Sequence, residues 1–115
     1  MKKSLTVFVG VLLLAGGPLD ASNGLAMAVS PNVAFAPATV RVRATVNANS
    51  ENRAIQIVAE SADFYRSSEI PLDGAQGPRT TVVEFRGLPG GTYRVTAILI
   101  RVSDRMTVVQ QLTIE

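Results

Sequence analysis

The residues that most often carry out chemistry are missing from this chain. Its 115 residues include no histidine and no cysteine. These two types supply most zinc ligands, thiol redox pairs and the bases or nucleophiles of catalytic triads. We therefore predict no catalytic residue, no metal site and no cofactor, and we expect that the chain is not an enzyme.

Carboxylates are the remaining groups that could bind a metal. Asp63, Glu69 and Asp73 fall in one irregular region, and their oxygens suit calcium. They lack the dense Asp-x-Asp spacing of a calcium loop, so this possibility does not change the prediction of no metal site.

Arginine dominates the positive charge of the chain after residue 28. From Val29 onward there are nine arginines and eight acidic residues, which leaves a net charge of +1. This balance predicts no nucleic-acid binding. Arg41, Arg43 and Arg86 would point outward from two strands, so they form a candidate anion-contact face for acidic polysaccharide or lipid headgroups. The alternative is a solvated face paired with Glu84.

The N-terminal residues have the pattern of a secretory signal peptide. Lys2 and Lys3 precede an apolar run from Leu5 to Ala15, which glycines and Pro18 end. A helix of this length reaches about half the hydrocarbon core of a bilayer, so no stable membrane span is expected after cleavage. We predict a signal-peptide helix in residues 1–28, with cleavage after Ala28 or, alternatively, after Ala21, and export to the periplasm or beyond the cell.

The rest of the chain alternates apolar and polar residues with a period of two. Residues 29–38 contain two prolines and are predicted to form an extended lead-in. Short strands separated by turns then follow in 39–115, over 39–46, 53–60, 64–72, 80–86, 92–102 and 106–114. This pattern predicts an all-β fold, a two-sheet antiparallel sandwich of about seven strands.

One corner carries a family resemblance. The run from Gly87 through Leu88, Pro89 and Gly90 to Tyr93 resembles the corner before strand F of immunoglobulin-like and fibronectin type III-like domains. The resemblance implies that the Tyr93 hydroxyl bonds to backbone upstream. It also implies that 53–60, 92–102 and 106–114 are strands C, F and G, which share one sheet. The absence of tryptophan and of a cysteine pair excludes an antibody-type domain.

Four apolar residues stand out on rows that should face water. On strand F, every second residue from Tyr93 belongs to the inward row, which consists of Tyr93, Val95, Ala97 and Leu99. Ile98 and Ile100 fall on the opposite row. Val58 and Val109 fall on the outward rows of the neighbouring strands, so the four are a candidate partner surface. The alternatives are a bulge that turns part of the row inward, or cover by the N-terminal segment.

Together these patterns lead to a functional hypothesis. We expect an exported, non-catalytic immunoglobulin-like module that acts through protein–protein binding, with another protein or itself as partner. The first alternative is a self-assembling cell-surface or appendage subunit. The second is a small carbohydrate-binding module, which an aromatic content of 5% disfavours.

Overall fold

A computed structural model describes residues 24–115 of the chain. Residues 1–23 of the predicted signal peptide, including its apolar run, lie outside the described residues. Over residues 24–115 the strands are β1 (Leu25–Ser30), β2 (Val33–Ala34), β3 (Ala38–Val46), β4 (Asn52–Glu60), β5 (Tyr65–Pro71), β6 (Thr80–Leu88), β7 (Gly91–Arg101) and β8 (Arg105–Ile114), with a 3₁₀ turn at Gly74–Gln76. Within the described residues, no helix is long and apolar enough to cross a membrane.

Two sheets make up the fold. One has three strands in the order β1-β3-β6, and the other has five in the order β2-β8-β7-β4-β5. Neighbouring strands are antiparallel, except for the parallel pair of β2 with β8. The prediction of an all-β, two-sheet sandwich is therefore confirmed.

The core lies between the sheets and follows the alternation of the sequence. In β-strands successive side chains point to opposite faces, so every second apolar residue can be buried. The buried inward residues include Val40, Val42 and Ala44 of β3, Ile55, Ile57 and Ala59 of β4, and Val95, Ala97 and Leu99 of β7. These rows hold the two sheets together, and they fix the opposite rows on the outer faces.

The sandwich begins earlier than the sequence pattern predicts. β1 pairs with β3 from Leu25 opposite Val46 to Ser30 opposite Arg41, and Leu25, Met27 and Val29 are buried in the core. The sequence pattern instead places the residues up to Ala28 in the signal peptide, and the others in a lead-in before a domain starting at residue 39. The alternating alanines of this strand resemble a small-residue cleavage site, which conceals the period of two.

Candidate functional site

The four residues of the candidate partner surface share the outer face of the five-stranded sheet. Val58 lies opposite Thr96, and Thr96 lies opposite Val109 on the next strand. One step along, Ile98 is flanked by Gln56 and Thr107. The register therefore brings the predicted residues together on β4, β7 and β8, with polar side chains between them.

Their exposure differs along this face. Val58 is only 8% exposed, because it lies on an inner strand between neighbours on β5 and β7. Ile98 and Ile100 are half-buried, while Val109 is 53% exposed. The expectation of an open patch that includes Val58 is corrected: the accessible apolar side chain lies at the β8 side of the face.

β8 also has a free edge. β2 pairs with β8 only at Thr113 and Ile114, where the Thr113 N–H donates to the Asn32 carbonyl at 3.1 Å. Backbone groups alternate in direction along a strand, and β8 pairs with β7 without a register shift. The N–H and C=O groups of Arg105, Thr107, Val109 and Gln111 therefore point away from β7. No strand within residues 24–115 pairs with them.

The hairpin between β7 and β8 is clamped at its turn. Arg101 donates two hydrogen bonds to the Asp104 carboxylate, at 2.7 Å from Nε and 2.8 Å from Nη2. The bidentate bond raises the pKa of Arg101 and lowers the pKa of Asp104 from their ordinary values. This clamp sets the start of β8 and therefore where its free edge begins.

The edge of β5 is protected, unlike that of β8. Arg66 of β5 donates a hydrogen bond of 2.7 Å to the carbonyl of Arg86 on β6, and its guanidinium lies 5.0 Å from the centre of the Phe64 ring. β5 also carries Glu69 and ends at Pro71. Charged residues and proline at sheet edges hinder pairing with another strand.

The predicted anion-contact residues lie together on the outer face of the three-stranded sheet. Glu84 accepts a hydrogen bond from Arg86 at 2.7 Å and one from Arg41 at 3.3 Å. The Arg86 bond, followed by the Arg41 bond, lowers the pKa of Glu84 below its ordinary value of 4.5. The ion pairs therefore stabilise the fold above that pH and are lost as the pH falls through the lowered pKa. Arg43 lies opposite Val82.

Substitution of Glu84 tests this face for anion binding. We expect Glu84→Gln to raise the salt concentration that elutes the protein from a polyanion column, since Arg41 and Arg86 lose the negative charge that they share. Glu69→Gln, which removes a charge from the other sheet, is the matched control and should shift elution less. Equal shifts would reduce the effect to net charge, and a wild-type protein that is not retained would exclude the anion-contact face.

The corner before β7 has the geometry that its residues suggest. The Tyr93 hydroxyl donates a hydrogen bond of 2.7 Å to the Pro89 carbonyl, and Leu88 is fully buried beneath the turn. The Phe64 ring meets the Tyr93 ring edge-on, with centroids 6.1 Å apart. Gly91 has a φ of +156°. This corner fixes the start of β7.

The acidic residues considered for calcium do not come together. Asp63 precedes β5, Glu69 lies within it and Asp73 follows it, so the strand separates them. No group of three histidine, cysteine or acidic residues within 24–115 could hold a metal ion.

Comparison with known proteins yields similarity of fold but not of sequence. No protein-family model and no curated protein matches the chain. Among solved structures it is similar to a superoxide reductase (neelaredoxin) from Ignicoccus hospitalis, with a TM-score of 0.61 and 9% identity over 83% of this chain and 86% of that one. An engineered protein matches with a TM-score of 0.54 and 16% identity, over 79% of this chain but only 20% of that one.

These similarities correct the family and the function predicted from the sequence. The immunoglobulin-like and fibronectin type III-like resemblance is wrong, because the matched structure is a superoxide reductase. The predicted non-catalytic immunoglobulin-like module is contradicted by the same match, with its appendage-subunit and carbohydrate-module alternatives. The prediction that the chain is not an enzyme is also contradicted, since the matched protein is named as one. At 9% identity the match shows the fold alone and assigns no reaction to this chain.

Proposed function

We propose that the chain binds a second copy of itself through the free edge of β8. The observation that supports this proposal is the row of backbone groups from Arg105 to Gln111 that points away from β7. Such an edge is a template for another strand. The segment has no proline and no glycine, and Arg105 is its only charged residue.

The sequence of this edge is complementary to itself in one antiparallel register. Residues 105 to 111 would pair with 111 to 105 of the second copy, which stops short of the positions that β2 occupies. Arg105 then lies opposite the second copy's Gln111, and Thr107 lies opposite the second copy's Val109. Val108 meets its own counterpart at the two-fold axis. No like charges face each other in this register. The interface is isologous and closes, because both copies use the same segment about a two-fold axis.

The interface is held by backbone hydrogen bonds and a small apolar area. Four residues in each copy present N–H and C=O groups, which gives about eight hydrogen bonds in an antiparallel ladder. Each contributes about 0.5–1.5 kcal/mol, while association costs at least about 4 kcal/mol. The net binding free energy is therefore at most about 8 kcal/mol, so we expect a weak dimer with a dissociation constant that is micromolar or higher.

A charge at the centre of the edge tests the proposal. We expect Val109→Lys to weaken dimerisation about tenfold or more, because two added charges approach each other and Arg105 across the interface. Light scattering over a concentration series measures the effect. Val82→Lys is the matched control, because Val82 is similarly exposed, at 50%, on the other sheet. A monomeric wild-type protein, or equal effects of both substitutions, would overturn the proposal.

The structural comparison raises the question of whether this chain could reduce superoxide. This reaction needs an electron donor, which proteins hold as a thiol pair, a metal on soft or imidazole ligands, or an organic cofactor. This chain has no cysteine and no histidine, and none of its described acidic residues cluster as a metal site. The residues present do not fit a thiolate or imidazole metal centre, so the proposal assigns binding and no redox step.

A further inference from the structure

We infer that the N-terminal segment is removed after Ala21, so that the whole of β1 stays in the exported protein. This inference accepts the export expected from the sequence and decides between the two small-residue sites, after Ala21 and after Ala28. It is independent of the self-association through β8.

Cleavage after Ala28 would remove most of a strand of the sandwich. Residues 25–28 make up four of the six residues of β1, and they pair with Val46 to Arg43 of β3. Leu25 and Met27 are buried in the core, so a chain that starts at Val29 would leave their sites open. β3 would also lose its partner along half of one edge.

Contacts with the domain begin one residue before β1. The Gly24 carbonyl accepts a hydrogen bond from the Asn47 N–H at 3.4 Å. A Cβ atom added at Gly24 would lie 2.8 Å from the sulfur of Met106, so the backbone here packs directly on β8. Gly24 has a φ of +104°, in a region that favours glycine. A cut that preserves these contacts must lie N-terminal to Gly24.

A cut after Ala21 lies N-terminal to Gly24 and also has the expected position relative to the apolar run of the signal peptide. It follows soon after the glycines and Pro18 that end the apolar run, as a cleavage site follows the h-region of a signal peptide. Ala28 lies farther from that run, inside β1, with its backbone paired opposite Arg43.

Intact mass of the exported product decides the question. The full 115-residue chain is expressed in a bacterium, and the protein is recovered from the periplasm or medium. We expect a product that begins at Ser22. A product that begins at Val29, or an uncut chain, would overturn the inference. Ala21→Gln should prevent the cut, whereas Ala28→Gln should leave it unchanged. The opposite pattern would also overturn it.

Thermal unfolding supplies a second readout. Proteins beginning at Ser22 and at Val29 are compared, and we expect the shorter one to melt at least about 10 °C lower, because two core side chains and four strand pairs are lost. Equal melting temperatures would show that residues 25–28 are dispensable, and the inference would fail.

Discussion

Replacement of Tyr93 by alanine is expected to lower the free energy of unfolding by about 3–5 kcal/mol. The side chain is 1% exposed, and its ring packs edge-on against Phe64 in the core. Its hydroxyl also holds the Pro89 carbonyl at the corner before β7. Truncation therefore opens a cavity and releases the corner together. Urea denaturation followed by circular dichroism measures the loss.

Tyr65 provides the matched control for this substitution. It is 61% exposed at the start of β5, so Tyr65→Ala should change stability by less than about 0.5–1 kcal/mol. Tyr93→Phe separates the hydroxyl from the ring, and we expect it to cost about 0.5–1.5 kcal/mol, in keeping with one hydrogen bond. If Tyr93→Ala were no worse than Tyr65→Ala, the corner would have no structural role.

Leu99→Ala is expected to destabilise the protein by about 2–5 kcal/mol, whereas Ile98→Ala should cost less than about 1.5 kcal/mol. The two residues are neighbours on β7 and lose similar volumes. Leu99 is buried between the sheets, and Ile98 is half-buried on the outer face between Gln56 and Thr107. The same denaturation experiment compares them.

This pair tests the facing of β7 and therefore the candidate partner surface. A larger loss for Ile98→Ala than for Leu99→Ala would mean that the strand is turned over. Ile98 would then belong to the core and could not contribute to a surface. The expected result, a smaller loss of stability for Ile98→Ala, would mean that Ile98 lies on the outer face beside the exposed Val109 and can contribute to a partner surface.

The period of two is enough to predict the strands with a clear alternation, such as β3 and β7, and their inward rows. On β3 and β7 every second residue is apolar, and these residues are buried in the structure. The facing follows because side chains alternate strictly along a strand, so one well-patterned segment fixes both of its faces. The same alternation assigns Val58 and Val109 to the outward rows of their strands, and the strand register places both residues on one outer face.

β1 escapes prediction from the sequence because its outward residues are alanines. In Leu25–Ser30 the buried leucine, methionine and valine alternate with Ala26 and Ala28, which are small and apolar rather than polar. The alternation is therefore weak, and the same residues satisfy the small-x-small rule of a cleavage site. Only the pairing with β3 distinguishes the two interpretations.

The exposure of the candidate surface depends on strand order, which the sequence does not contain. Val58 is covered because β4 has strands on both sides, whereas Val109 is open because β8 has a free edge. The family prediction is wrong because it depends on one local feature, the corner before β7. A tyrosine bonded back to a corner, as Tyr93 is to Pro89, stabilises a β-sandwich locally and does not specify its family.

The hydrogen bond from Arg66 to the Arg86 carbonyl has a consequence for the size of any assembly. If β8 of one molecule could add to β5 of the next, each addition would expose a new edge and a fibre would grow. Arg66, Glu69 and Pro71 make β5 a poor acceptor. Growth through the five-stranded sheet would then stop once two β8 edges had met, which limits this assembly to a dimer.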